Sequence, residues 1–158
     1  MAVTISGTSG VTTPGVSSSD TIQTTGSASI TSAVNLVATS NGTIGGELIA
    51  TSYNETYSAL SAAATVDVDC ETGNFFSLTT DQNTTFTFSN PPSSGTAFGF
   101  SLQLTAGGTH TITWPASVDW AGATAPDAPA SGETDILVFT TRDGGTTWYG
   151  ALAIDAAG

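Results

Sequence analysis

From Thr65 onward the chain is cut into short alternating pieces by turn signals, a rhythm that admits little besides a β fold. Val66, Val68 and Cys70 alternate with Asp67, Asp69 and Glu71, the period-two pattern of a strand with one buried face. Similar pieces follow at Asn74–Thr79, Thr84–Ser89, Ala97–Thr105, His110–Trp114, Asp135–Thr141 and Thr147–Ile154. Between them stand Glu71-Thr72-Gly73, Asp81-Gln82-Asn83, Asn90-Pro91-Pro92, Ala106-Gly107-Gly108 and Asp143-Gly144-Gly145, all rich in turn formers. Seven short segments at this spacing predict an all-β domain over residues 65–158, an antiparallel β-sandwich or jelly-roll-like fold. Phe86 with Phe88, Phe98 with Phe100, Leu102 with Leu104 and Leu137 with Phe139 each fall two apart. Each pair therefore shares a face, and with Ile112, Trp114 and Trp148 they can fill one core.

The first third of the chain is physically different. Residues 1–52 contain no aromatic side chain, and Asp20 and Glu47 are their only charges. Short β-branched pieces such as Val3-Thr4-Ile5-Ser6 and Val34-Asn35-Leu36-Val37 are broken by Gly7, Gly10, Pro14-Gly15, Gly26, Gly42 and Gly45-Gly46. Without large side chains such a segment cannot offset its own ordering entropy. Its β-branched content is also too high for the composition of a disordered tail. It is expected to be an extended or intertwined N-terminal β arm that attaches or oligomerises the protein. Residues 53–64 read as a linker, with Tyr53, Tyr57 and Leu60 spaced for one face of a helical turn.

Composition then removes several functions. Thirteen carboxylates face one cation, Arg142, and the net charge is -12. Nucleic-acid binding neutralises phosphates with Lys and Arg, and anionic membranes attract the same residues, so neither is an expected partner. No run approaches the roughly 18 apolar residues of a membrane helix. Met1 is followed by neither a basic region nor an apolar run, so no signal peptide is expected and synthesis is cytoplasmic. Cys70 is the only cysteine, which excludes an intrachain disulfide and a Cys-based zinc site.

Each cluster with possible chemistry has a plainer reading. Asp67, Asp69 and Glu71 lie at i, i+2 and i+4 and offer the oxygen ligands Ca²⁺ favours, but a ladder on one strand rarely wraps a cation. His110 has no second His or Cys near it, so neither a metal nor a nucleophile relay is expected there. Asp119, Asp127, Glu133 and Asp135 are glycosidase candidates by residue type alone. No Gly-x-Ser-x-Gly elbow is present. Neither catalysis nor a cofactor is expected. Trp114, Trp120, Trp148 and Tyr149 can form a sugar-stacking platform; strand context sends Trp114 and Trp148 inward and leaves Trp120 as the candidate glycan contact.

Two resemblances follow from these residues. Thr141-Arg142-Asp143-Gly144-Gly145-Thr146-Thr147-Trp148 resembles the Asp-box of sialidases and related propellers, Ser/Thr-x-Asp-x-Gly-x-Thr-Trp. In those proteins the box stabilises a hairpin turn, which implies a structural role here for Thr141, Asp143, Gly145, Thr147 and Trp148. The stretches Thr84–Pro92, Phe100–Thr105, Ile112–Trp120 and Phe139–Tyr149, with the start Val3–Gly15, look like parts of bacteriophage tail-fibre and other virion proteins. That resemblance implies a virion location, homotrimers and contact with the major capsid protein or other virion proteins. A short arm and one domain suit a capsid decoration (cement) or head-spike protein. The alternatives are a tail-fibre or tail-tip receptor-binding module and a carbohydrate-binding module for a host-surface glycan.

Overall fold

The computed structural model describes residue 47 and residues 49–157. Residues 1–46 and 48, which make up most of the arm expected over 1–52, lie outside the described residues. Nine strands form among the described residues: β1 (Tyr57–Ala59), β2 (Thr65–Asp69), β3 (Phe75–Thr80), β4 (Thr84–Ser89), β5 (Phe98–Ala106), β6 (Ile112–Thr113), β7 (Val118–Trp120), β8 (Thr134–Thr141) and β9 (Trp148–Ala157). The described part is all-β apart from a single 3₁₀ turn at Ala121–Ala123. All seven strands read from the sequence are present. Two were not anticipated: β1 replaces the expected helical turn, and β7 lies in what reads as a loop.

The strands build a six-stranded sheet in the order β1-β3-β5-β8-β9-β7 and a three-stranded sheet in the order β2-β4-β6. Consecutive strands from β1 to β6 alternate between the two. Each short link therefore carries the chain across the core, and every second strand returns to its own sheet in the same direction. This makes β1–β3, β3–β5, β2–β4 and β4–β6 parallel, with the strand in the opposite sheet serving as the crossover that parallel neighbours need. Only β5–β8 and β8–β9 are antiparallel, and β7 joins β9 in parallel. The antiparallel, jelly-roll-like pairing expected from the sequence is thus corrected to mixed sheets. The Asp81-Gln82-Asn83 turn joins β3 of one sheet to β4 of the other.

The inner faces of both sheets meet in one core. Val66, Val68 and Phe86 come from the small sheet; Phe76, Leu78, Phe100, Leu102, Leu104, Leu137, Phe139 and Trp148 come from the large one. Register lines them up: Phe76 faces Leu102, Leu102 faces Leu137, and Leu137 faces Leu152. Phe88 meets Phe100, Phe139 and Trp148 edge-on at 5.1, 5.1 and 5.2 Å. Phe86 stacks on Trp114 at 4.8 Å with 10° between planes. Such edge-on and stacked contacts add to the burial of large rings. Among the described residues every buried side-chain polar atom has a partner.

One carboxylate is built into this core. Asp135 is only 2% exposed and faces Leu104 across β5–β8. Its Oδ1 accepts the Ala156 backbone N–H at 3.0 Å, where the β8–β9 register shifts. Burial is the main reason its pKa stands above the ordinary carboxylate value; the Ala156 bond opposes the rise, and Asp155 and Glu133 add to it.

Candidate functional site

The β8–β9 connection is the most fully bonded turn of the domain. The Thr141 hydroxyl donates to Asp143 Oδ1 at 2.9 Å and accepts the Gly145 N–H at 3.2 Å. Asp143 Oδ1 also accepts the Thr147 N–H at 3.0 Å, and the Asp143 carbonyl takes the Thr146 hydroxyl at 3.1 Å. Gly144 and Gly145 supply φ of 72° and 77°, values that side chains with a Cβ rarely adopt. Trp148 Nε1 lies close under Gly145, and the ring is buried at 1% exposure. The Thr147 N–H, ahead of the Thr141 hydroxyl, holds the Asp143 carboxyl below its usual pKa. Thr141, Asp143, Gly145, Thr147 and Trp148 are thus brought into one turn. Its carboxylate is committed to the turn's own donors.

On the small sheet the acidic ladder is shorter than its sequence spacing suggests. β2 ends at Asp69, so Glu71 lies past the strand. Asp67 accepts from the hydroxyls of Thr87, at 2.7 Å, and Ser89 on neighbouring β4. Asp69 Oδ1 accepts the Glu71 N–H at 3.1 Å and Asn90 Nδ2 at 3.0 Å. No three His, Cys, Asp or Glu side chains form a metal-holding group among the described residues, so Asp67, Asp69 and Glu71 do not assemble the cation site their spacing raises. Cys70 is buried beside them; burial, then Asp69 and Asp67, push its thiol up to about 11.

The four acids that were glycosidase candidates by residue type stand apart in role. Asp119 and Asp127 are exposed, Glu133 Oε2 accepts the Ala130 N–H at 3.2 Å, and Asp135 is locked in the core. His110 is half-buried beside Gly108.

Trp120 is also not the exposed ring the sequence suggested. It is half-buried, 5.5 Å from Trp114 and 5.6 Å from Phe139. It contributes only one wall of a depression of about 290 Å³ with Thr124, Pro126 and Leu152. Of Trp114, Trp120, Trp148 and Tyr149, the exposed one is Tyr149, at 52%. Trp148 and Tyr149 are adjacent in β9, so once Trp148 fills the core Tyr149 must point outward. That alternation was the available signal.

Around Tyr149 the outer face of the large sheet forms a furrow of about 410 Å³, lined chiefly by Phe98, Gly99, Thr140, Arg142 and Tyr149. The register sets Gly99 opposite Thr140, Thr140 opposite Tyr149, and Tyr149 opposite Asp119. These four therefore form one row across β5, β8, β9 and β7. The chain's single cation lies at the furrow with its side chain exposed. A second depression, of about 240 Å³, shares Gly99 and Thr140 and extends toward Glu55, Asn74 and Ser101.

No protein-family model, curated protein or solved structure matches this chain.

Proposed function

We propose that this chain is a non-catalytic structural protein of a bacteriophage particle, a homotrimeric capsid decoration or head-spike protein. Residues 1–52 would attach it to the major capsid protein or intertwine copies, and residues 65–158 would form a displayed β-sandwich. One observation carries the assembly part of this reading. Ile49, Tyr53 and Tyr57 are 87, 76 and 59% exposed, and they fall together on the short stretch that joins the arm to the sheets. Large apolar side chains grouped on a surface favour a covering partner, and on a chain of charge -12 copies repel except where carboxylates are sparse. Between Ile49 and Ala64 the only charge is Glu55. The two-sheet core with its satisfied polar groups suits a displayed domain that must keep its shape. Mass spectrometry and density assignment of purified particles test the placement: the chain on the head at a copy number divisible by three supports it. Its absence from the particle, or a tail-only position, removes the decoration reading.

The Tyr149 furrow favours one alternative role alongside assembly, recognition of a glycan. A tail-fibre or tail-tip position would use the same surface.

A further inference from the structure

We propose that the furrow on the outer face of β5, β8 and β9 binds a neutral pyranose, with Tyr149 as the stacking platform and Arg142 and Asp119 as its polar clamps. This is independent of where the protein sits on a particle, because Tyr149 and Tyr57, both on the outer face of the large sheet, stand on well-separated strands. In the order β1-β3-β5-β8-β9-β7, Tyr57 and Tyr149 are four strand spacings apart, roughly 19 Å.

The residue types fit one ligand chemistry better than others. A pyranose has a C–H-rich face that packs on an aromatic ring and a rim of hydroxyls that both donate and accept. Tyr149 presents half its surface to solvent, while Phe98 borders the furrow at its end with its ring turned to Trp148 on the core side. Arg142 supplies donors and the Asp119 side chain acceptor oxygens, so the two flanks serve both polarities of a sugar hydroxyl. Directly opposed residues on neighbouring strands hold their Cβ atoms about 5 Å apart, which puts Asp119 and Thr140 on either side of the Tyr149 ring. Gly99 keeps the floor low: a Cβ there would come within 3.1 Å of the Phe139 carbonyl oxygen and 3.2 Å of Thr140 Cγ2.

Competing ligands fit less well. A phosphate or polyanion would meet one cation against thirteen carboxylates. A wholly apolar ligand would have to desolvate Arg142 and the Thr140 hydroxyl without return. The adjoining depression toward Asn74 and Ser101 continues the polar lining, so a chain of two or more sugars gains contacts that a single residue lacks.

The experiment is an array of neutral and carboxylated oligosaccharides probed with the full chain, followed by NMR titration of the bound sugars. The expected result is retention of neutral hexose or N-acetylhexosamine oligosaccharides. Affinity should fall roughly tenfold or more in Tyr149→Ala and Arg142→Ala, the loss of one stacking or charge-assisted contact. Tyr149→Phe keeps the ring and should bind within a few fold of the parent. Both sites are exposed, and an unchanged melting temperature for each variant separates lost contact from lost fold. Binding confined to carboxylated sugars, binding that survives Tyr149→Ala, dependence on Trp120 instead, or no retained glycan would each overturn the proposal. None of these outcomes bears on native mass, which tests assembly separately.

Discussion

Gly150 lies directly opposite Trp120 in the β7–β9 pair, and a Cβ at Gly150 would stand 2.8 Å from Cζ3 of the Trp120 ring and 2.9 Å from Val118 Cγ1. The missing side chain is what lets β7 close on the sheet with Trp120 folded over Phe139. Gly150→Ala should therefore destabilise by about 1–3 kcal/mol through overpacking, read by urea unfolding. Trp120→Leu in the same chain should absorb part of that cost, giving a non-additive double-mutant cycle. Additive effects would mean that the two residues do not share the space.

Phe139 is the ring on which the aromatic core turns. It lies 5.0 Å from Phe100, 5.1 Å from Phe88, 5.4 Å from Trp114 and 5.6 Å from Trp120. Phe139→Ala should cost about 3–5 kcal/mol, a large share of a domain's usual stability. Phe139→Leu should cost less and keep the variant measurable by chemical denaturation.

Asp135 makes stability fall as pH rises. Its folded pKa is raised above the unfolded value, so between the two the folded state binds more protons and stability is lost on ionisation. Asp135→Asn retains an oxygen for the Ala156 N–H and should raise the melting temperature at pH 7, with the difference vanishing in acid below the ordinary Asp range. Asp143 acts in the opposite sense. Its folded pKa is lowered, so its contribution is present at neutral pH and disappears as pH falls through that value. Asp143→Ala should therefore lower the melting temperature at pH 7 and matter progressively less in strong acid.

Cys70, raised to about 11, is about one-thousandth thiolate at pH 8. Its modification by a disulfide reagent should track global unfolding in denaturant, and prompt labelling of the native protein would show that the β2 end opens locally.

How much of this was legible depends on which physical signal each feature leaves. The alternation of Val66 with Asp67, or Phe86 with Thr85 and Thr87, marks a strand with two unlike faces, and β2 and β4 are there. Alternation is silent on partner and direction, because parallel and antiparallel neighbours bury the same face. Links such as Glu71-Thr72-Gly73 look alike whether the chain turns within a sheet or crosses the core, which is why mixed sheets were read as antiparallel. β1 was read as helical because Tyr53, Tyr57 and Leu60 match a helix spacing, whereas strand pairing with Phe75 decides Tyr57–Ala59. The Asp143 turn was legible from its residue order because the bonds that hold it are local. The furrow was not, because Gly99, Thr140 and Tyr149 meet only through the β5–β8–β9 register.

Homo-oligomeric assembly, proposed through the stretch that carries Ile49, Tyr53 and Tyr57, is tested most directly by mass. Light scattering of the full chain at micromolar concentration should give about three times the 15.7 kDa subunit mass, shifting toward the single-chain mass in an Ile49→Ser, Tyr53→Ser, Tyr57→Ser variant. A stable mass of 15.7 kDa for the unaltered chain would contradict it.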